Sequence, residues 1–166
     1  MRKGLIILGD LKDQDLIWLS QNGTLRRLSA GDRLITEGEQ VSDLFIITEG
    51  GCDVTVQGAR VAQLGVGDIM GEMSFVEKAG ASATITVAEA SRVLAVPQKA
   101  LLAQFRDDEG FAARFYRALA VFLSDRLRSM APGADADELD EGLLDTLHVA
   151  GDRMLRLISL LEGQQR

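Results

Sequence analysis

The stretch Gly67-Asp68-Ile69-Met70-Gly71-Glu72-Met73-Ser74-Phe75-Val76, followed by Ala81-Ser82-Ala83-Thr84-Ile85-Thr86-Val87, decides how the rest of the chain is read. Glycines punctuate a short apolar pair, and a β-prone strand follows. Gly71 lets the backbone approach a ligand closely. The residues after it, Glu72, Met73 and Ser74, can form one helical turn whose exposed amides suit an anionic phosphate. Glu72 is an acceptor suited to a ribose hydroxyl. Ser82 and Thr84, flanking Ala83, offer hydroxyls from the adjacent strand. On spacing alone the same residues also read as a glycine turn with an exposed Glu and a plain strand after it.

Outward from this cassette, residues 25–96 keep one character. Short apolar runs (Leu34-Ile35, Leu44-Phe45-Ile46-Ile47, Val54-Thr55-Val56, residues 61–64, 83–87 and 92–96) alternate with glycine turns such as Gly31-Asp32, Glu37-Gly38-Glu39, Glu49-Gly50-Gly51 and Gln57-Gly58. Many short strands at such spacing predict a compact antiparallel roll or barrel. Helical patterning flanks it. Residues 13–20 read as a short helix capped by Asp13. From Pro97 the period becomes helical, and Phe111, Phe115, Leu119, Phe122, Leu123, Leu127 and Met130 recur at three- and four-residue steps. The acids Asp107, Asp108 and Glu109 stand at that helix's start, where the dipole favours them. Beyond Pro132-Gly133, Leu139, Leu143, Leu144, Leu147, Met154, Leu155, Ile158 and Leu161 predict a second long helix. Its apolar stripe must be covered, either by the roll or by a twin helix in a homodimer. The expected division is a sensor domain over residues 1–130 and an acidic linker with a dimerising helix over 131–166.

Composition narrows the function. The chain has 166 residues, 46% hydrophobic and 26% charged, which fits one ordinary soluble domain. No window is apolar for long enough to span a membrane, and the run at residues 5–8 is too short for a signal peptide. The net charge of −7 argues against nucleic acid as a direct partner. It is uneven: residues 1–130 carry 15 basic and 17 acidic groups, residues 131–166 carry 3 and 8. One Cys (Cys52) excludes an internal disulfide, and one His (His148) leaves no metal centre of the usual kind. The cytoplasm is the expected compartment. No nucleophile elbow, Walker loop or Ser–His–Asp set is present, so an enzyme is not expected.

Gly71-Glu72-Met73-Ser74-Phe75, with Ser82-Ala83-Thr84 eight residues later inside a glycine-punctuated roll, resembles the phosphate cassette of cyclic-nucleotide-binding domains, the sensors of the catabolite activator (CRP/FNR) group. The resemblance implies a mainly β fold: an antiparallel, jelly-roll-like β-roll with flanking helices and a long C-terminal dimerisation helix. It implies no cofactor, and a cyclic nucleotide ligand held by Gly71, Glu72, Met73, Ser74, Ser82, Ala83 and Thr84. More narrowly, residues 1–3, 71–76 and 115–128 are similar to standalone cyanobacterial cyclic di-GMP receptors of the CdgR type.

Two departures shape the expectation. In cAMP-binding members an Arg stands directly before the Ser-Ala pair, and here that position is Ala81. Losing a charge-assisted phosphate contact removes roughly 1.5–3 kcal/mol, so cAMP affinity falls by about one to two powers of ten. No helix-turn-helix is expected after Leu161 either. The expected protein is therefore a receptor that favours cyclic di-GMP over cAMP and signals by contact with another protein, such as a CRP-type transcription factor. The competing expectation is a dimeric scaffold that has lost its ligand. Guanine recognition calls for Arg donors and acid acceptors, and Arg2, Asp152 and Arg153 are the candidates. Arg114, Arg117, Arg126 and Arg128 read as one helix's wet face, Trp18 and Tyr116 as packing anchors, and Cys52 as a small buried hydrophobe.

Overall fold

Short apolar runs closed by glycines fold as paired strands, and they build two four-stranded antiparallel sheets. The structure, a computed structural model, describes residues 6–130 and 141–164; the side chains at 6–7, 129–130 and 141–148 lie outside the described residues. The Pro132-Gly133 break falls outside them too. By contact the chain divides into two compact units. One is Asn22–Ala103; the other comprises the segment up to Gln21 and that from Gln104 onward.

The first unit is the roll. Strands β1 (Thr24–Leu28), β8 (Ser91–Pro97), β3 (Asp43–Glu49) and β6 (Ile69–Met70) form one sheet in the order β1-β8-β3-β6. Strands β2 (Arg33–Ile35), β7 (Thr84–Val87), β4 (Cys52–Val56) and β5 (Ala59–Leu64) form the other, in the order β2-β7-β4-β5. The core draws from both: Phe45, Ile47, Met70, Val93 and Ala95 from the first sheet, and Ile35, Cys52, Val54, Leu64, Ile85 and Val87 from the second. Leu44, Ile46, Leu94 and Val96 are buried as well, so β3 and β8 are covered on both faces. That is why their sequence runs are continuous rather than alternating. The short helix α3 (Glu72–Glu77) follows β6, and α4 (Gln98–Asp107) follows β8.

The second unit is helical: α1 (Ile6–Asp10), α2 (Asp13–Asn22), α5 (Glu109–Met130) and α6 (Glu141–Gly163). α1 lies against both α5 and α6. Phe111, Phe115, Leu119 and Phe122 are buried as the periodicity predicts, and Trp18 meets Phe111 edge-on with ring centroids 5.7 Å apart. Tyr116 packs its ring on Phe105 at 5.3 Å while remaining partly exposed. Leu127, placed in the apolar stripe by its spacing, is exposed. On α6, Ala150, Met154, Leu157 and Leu161 are buried within the single chain. The side chains of Leu143 and Leu147, the first half of the expected dimer stripe, and of His148 lie outside the described residues.

Candidate functional site

The site starts where β6 ends. Gly71 adopts φ +85°, and a Cβ there would lie 2.9 Å from the Asp43 carbonyl oxygen, so the position requires glycine twice over. Its carbonyl accepts from Phe75 N–H at 3.1 Å and opens α3. Gln98 Nε2 donates to the same oxygen at 3.4 Å. Glu72 and Ser74 are buried beside it, and Met73 points outward. Ser82 Oγ lies 3.5 Å from Met73 Sδ, which joins the two halves of the cassette across nine residues.

Beyond α3 the chain closes a tight loop. Ala81 N–H donates to Glu39 O, and Gly38 N–H donates to Ala81 O, both at 2.8 Å. The Ala81 side chain is buried in the roll core, and Ala83 packs against that core. Thr84 Oγ1 accepts from Glu37 N–H at 3.0 Å, and the Glu37 carboxylate accepts from Gln57 N–H at 2.9 Å. Thr84 thus holds the 36–39 turn through its acceptor lone pair and keeps a hydroxyl proton to donate. The sequence reading did not find this Thr84–Glu37–Gln57 tie; the partners lie 47 and 20 residues apart, and no local pattern announces them.

Residues 71–74 and 82–84 therefore belong to one unit. Asp152 and Arg153 lie on α6 in the other, and Arg2 lies outside the described residues. Asp152 is exposed. Arg153 Nη1 donates to Leu8 O at 3.1 Å and Gly9 O at 2.7 Å, closing carbonyls of α1. Arg114 is not on a wet face: it makes a bidentate pair with the buried Asp15 at 2.7 and 2.8 Å, which raises the guanidinium's pKa. Arg117 pairs with Asp10, and Arg156 with Asp13 at 2.6 Å. Among the described residues no cluster of His, Cys, Asp and Glu could hold a metal, and no helix is long and apolar enough to cross a membrane.

Two antiparallel sheets share one core, and a glycine-started helix leads into a Ser-Ala-Thr strand. The cyclic nucleotide-binding domain profile matches residues 25–108, and the chain belongs to that family of regulatory binding domains. It is 38% identical over 77 residues to the cAMP-dependent protein kinase regulatory subunit of Mycosarcoma maydis, covering 44% of this chain and 15% of that protein. It is 35% identical over 119 residues to the Pycsar effector protein PaPycTIR of Pseudomonas aeruginosa, covering 70% and 37%. The chain thus spans well under half the length of these relatives. The catabolite activator protein of Thermus thermophilus shares the fold with a TM-score of 0.63 at 18% identity, covering 96% of this chain and 88% of that one.

Proposed function

We propose that this protein is a second-messenger receptor, binding a cyclic nucleotide in the roll at Gly71, Glu72, Met73, Ser74, Ser82, Ala83 and Thr84. The observation that carries the reading is that the whole cassette, read from sequence, lies within one unit of a family-matched fold, with Met73 and Ser82 in contact. The kinase regulatory subunit that the chain resembles is named for cAMP.

Cyclic di-GMP is the second reading, favoured by Ala81, which leaves no arginine in the cassette. Its guanines call for arginine donors and acid acceptors of the kind that Arg2, Asp152 and Arg153 carry. Signalling then runs through contact with a protein partner, for which a CRP-type transcription factor is the proposal. A homodimer formed through the residues of 137–162 is proposed with it.

Calorimetric titration with cAMP, cGMP and cyclic di-GMP tests the reading. We expect saturable heat with one of the three and a matching rise in melting temperature. No heat and no shift with any of them leaves the ligand-free scaffold. Sedimentation with and without nucleotide tests the dimer.

A further inference from the structure

The phosphodiester of a cyclic nucleotide calls for a counter-charge, and position 81 does not supply it. Ala81 is 8% exposed and sits with Ile35, Met70 and Ile85 in the roll core. Between Arg60 and Arg92 the sequence holds one basic residue, Lys78. Arg60 and Arg92 themselves are paired with Asp53 and Glu49, and Arg26 with Asp43.

Lys78 stands at the end of α3 with φ 56° and ψ 29°, a left-handed conformation that glycine adopts freely and a lysine does not. Its N–H donates to Ser74 O at 2.9 Å and closes the helix. Two residues on, Gly80 is pinned: a Cβ there would lie 2.6 Å from Gly38 O. Ala81 is then held by its two bonds to the 38–39 turn. The loop backbone is fixed at both ends, so the lysine stands at a defined point between residues 71–74 and 82–84 of the chain. Its side chain is exposed and engages no ion pair among the described residues. Lys78 and Gln57 are the two non-glycine residues with positive φ among the described residues, and of the two only Lys78 lies within the cassette loop.

We propose that Lys78 is the phosphate-binding cation of this site, in place of the side chain missing at position 81; the inference rests on the receptor reading above. The lysine meets the phosphodiester as a point charge rather than as a bidentate fork. The site therefore tolerates phosphates in more than one orientation and depends strongly on salt.

The test measures binding of cAMP, cGMP and cyclic di-GMP to the full chain and to four variants, at low and high salt, beside melting curves. Lys78→Met is expected to weaken the ligand that binds by about tenfold or more and to flatten its salt dependence. Lys78→Arg retains binding, and the distant Arg27→Met leaves it unchanged. Lys78→Gly is expected to lose the same affinity while raising the melting temperature of the free protein, because it removes the left-handed strain. A merely structural lysine does not produce that opposition. Binding by Lys78→Met at wild-type affinity and salt dependence overturns the proposal and leaves the receptor reading standing. If the wild-type chain binds none of the three nucleotides, both fall together.

Discussion

Gly71 and Lys78 bracket α3, and both are left-handed, yet only one of them is the residue type that this backbone favours. At Gly71 two costs coincide. A side chain there meets the positive φ penalty and an oxygen 2.9 Å away that belongs to backbone and cannot swing aside. Gly71→Ala is therefore expected to destabilise the roll by about 2 kcal/mol, read as a lower urea midpoint at unchanged slope. Unchanged stability would mean that the β6–α3 corner relaxes more than a backbone contact allows. Cys52 shows a different kind of residue-scale constraint. Its thiol is fully buried, and that burial, with Asp53 adding to it, pushes the pKa from 9.0 up to about 11. The folded state thus holds the proton more tightly than the unfolded state. This contribution to stability is complete below pH 9 and is lost as pH rises towards 11. Thiolate absorbance should rise with a midpoint near 11 in the native protein and near 9 in urea. A native midpoint near 9 would show that the thiol reaches solvent.

At the scale of elements, the strands were legible where glycines frame apolar runs, and they were missed where that framing fails. β1 (Thr24–Leu28) escaped the reading because Arg26 and Arg27 break its apolar run and face solvent at a sheet edge. β6 has only two residues, too few for any periodicity. α1 read as a bare apolar run. The helix-borne arginines were the larger miss. Arg114 and Arg117 on α5, and Arg153 and Arg156 on α6, each three residues apart, all engage the segment from Leu8 to Asp15. Nothing local ties position 15 to position 114. Only folding brings a capping carboxylate, which also accepts from Lys12 N–H at 2.8 Å, under a guanidinium. These pairs are unequal. Asp15 is 1% exposed, so Arg114→Ala strands a buried carboxylate and is expected to cost about 3–5 kcal/mol. Arg156 and Asp13 are both more than half exposed, and Arg156→Ala is expected to cost under about 1 kcal/mol. Urea melts of the two variants check the order. Equal losses would show that Asp15 finds water when its partner leaves.

For the whole molecule, the two units differ in how much of them the sequence could reveal. The cassette was legible because its parts lie within fourteen consecutive residues, from Gly71 to Thr84, and fold into one corner of one unit. A site assembled from Arg2 and Arg153 has no such local signature, and Arg153 Nη1 already donates to the Leu8 and Gly9 carbonyls. The same helix decides how a truncation should behave. An apolar stripe on α6 left bare in the single chain would make removal of everything after Met130 a loss of dimerisation alone. But Ala150, Met154, Leu157 and Leu161 are buried within the chain, and α1 lies against α6. Each fully buried Met or Leu contributes about 1.5–3 kcal/mol, a sum comparable with the about 5–15 kcal/mol that holds a typical domain together. The chain cut after Met130 is therefore expected to unfold at clearly lower denaturant, with faster amide exchange in α1, whatever its sedimentation shows. If it instead keeps the full-length midpoint at a concentration where both chains are monomers, α6 adds nothing to the single chain, and its stripe serves a second copy.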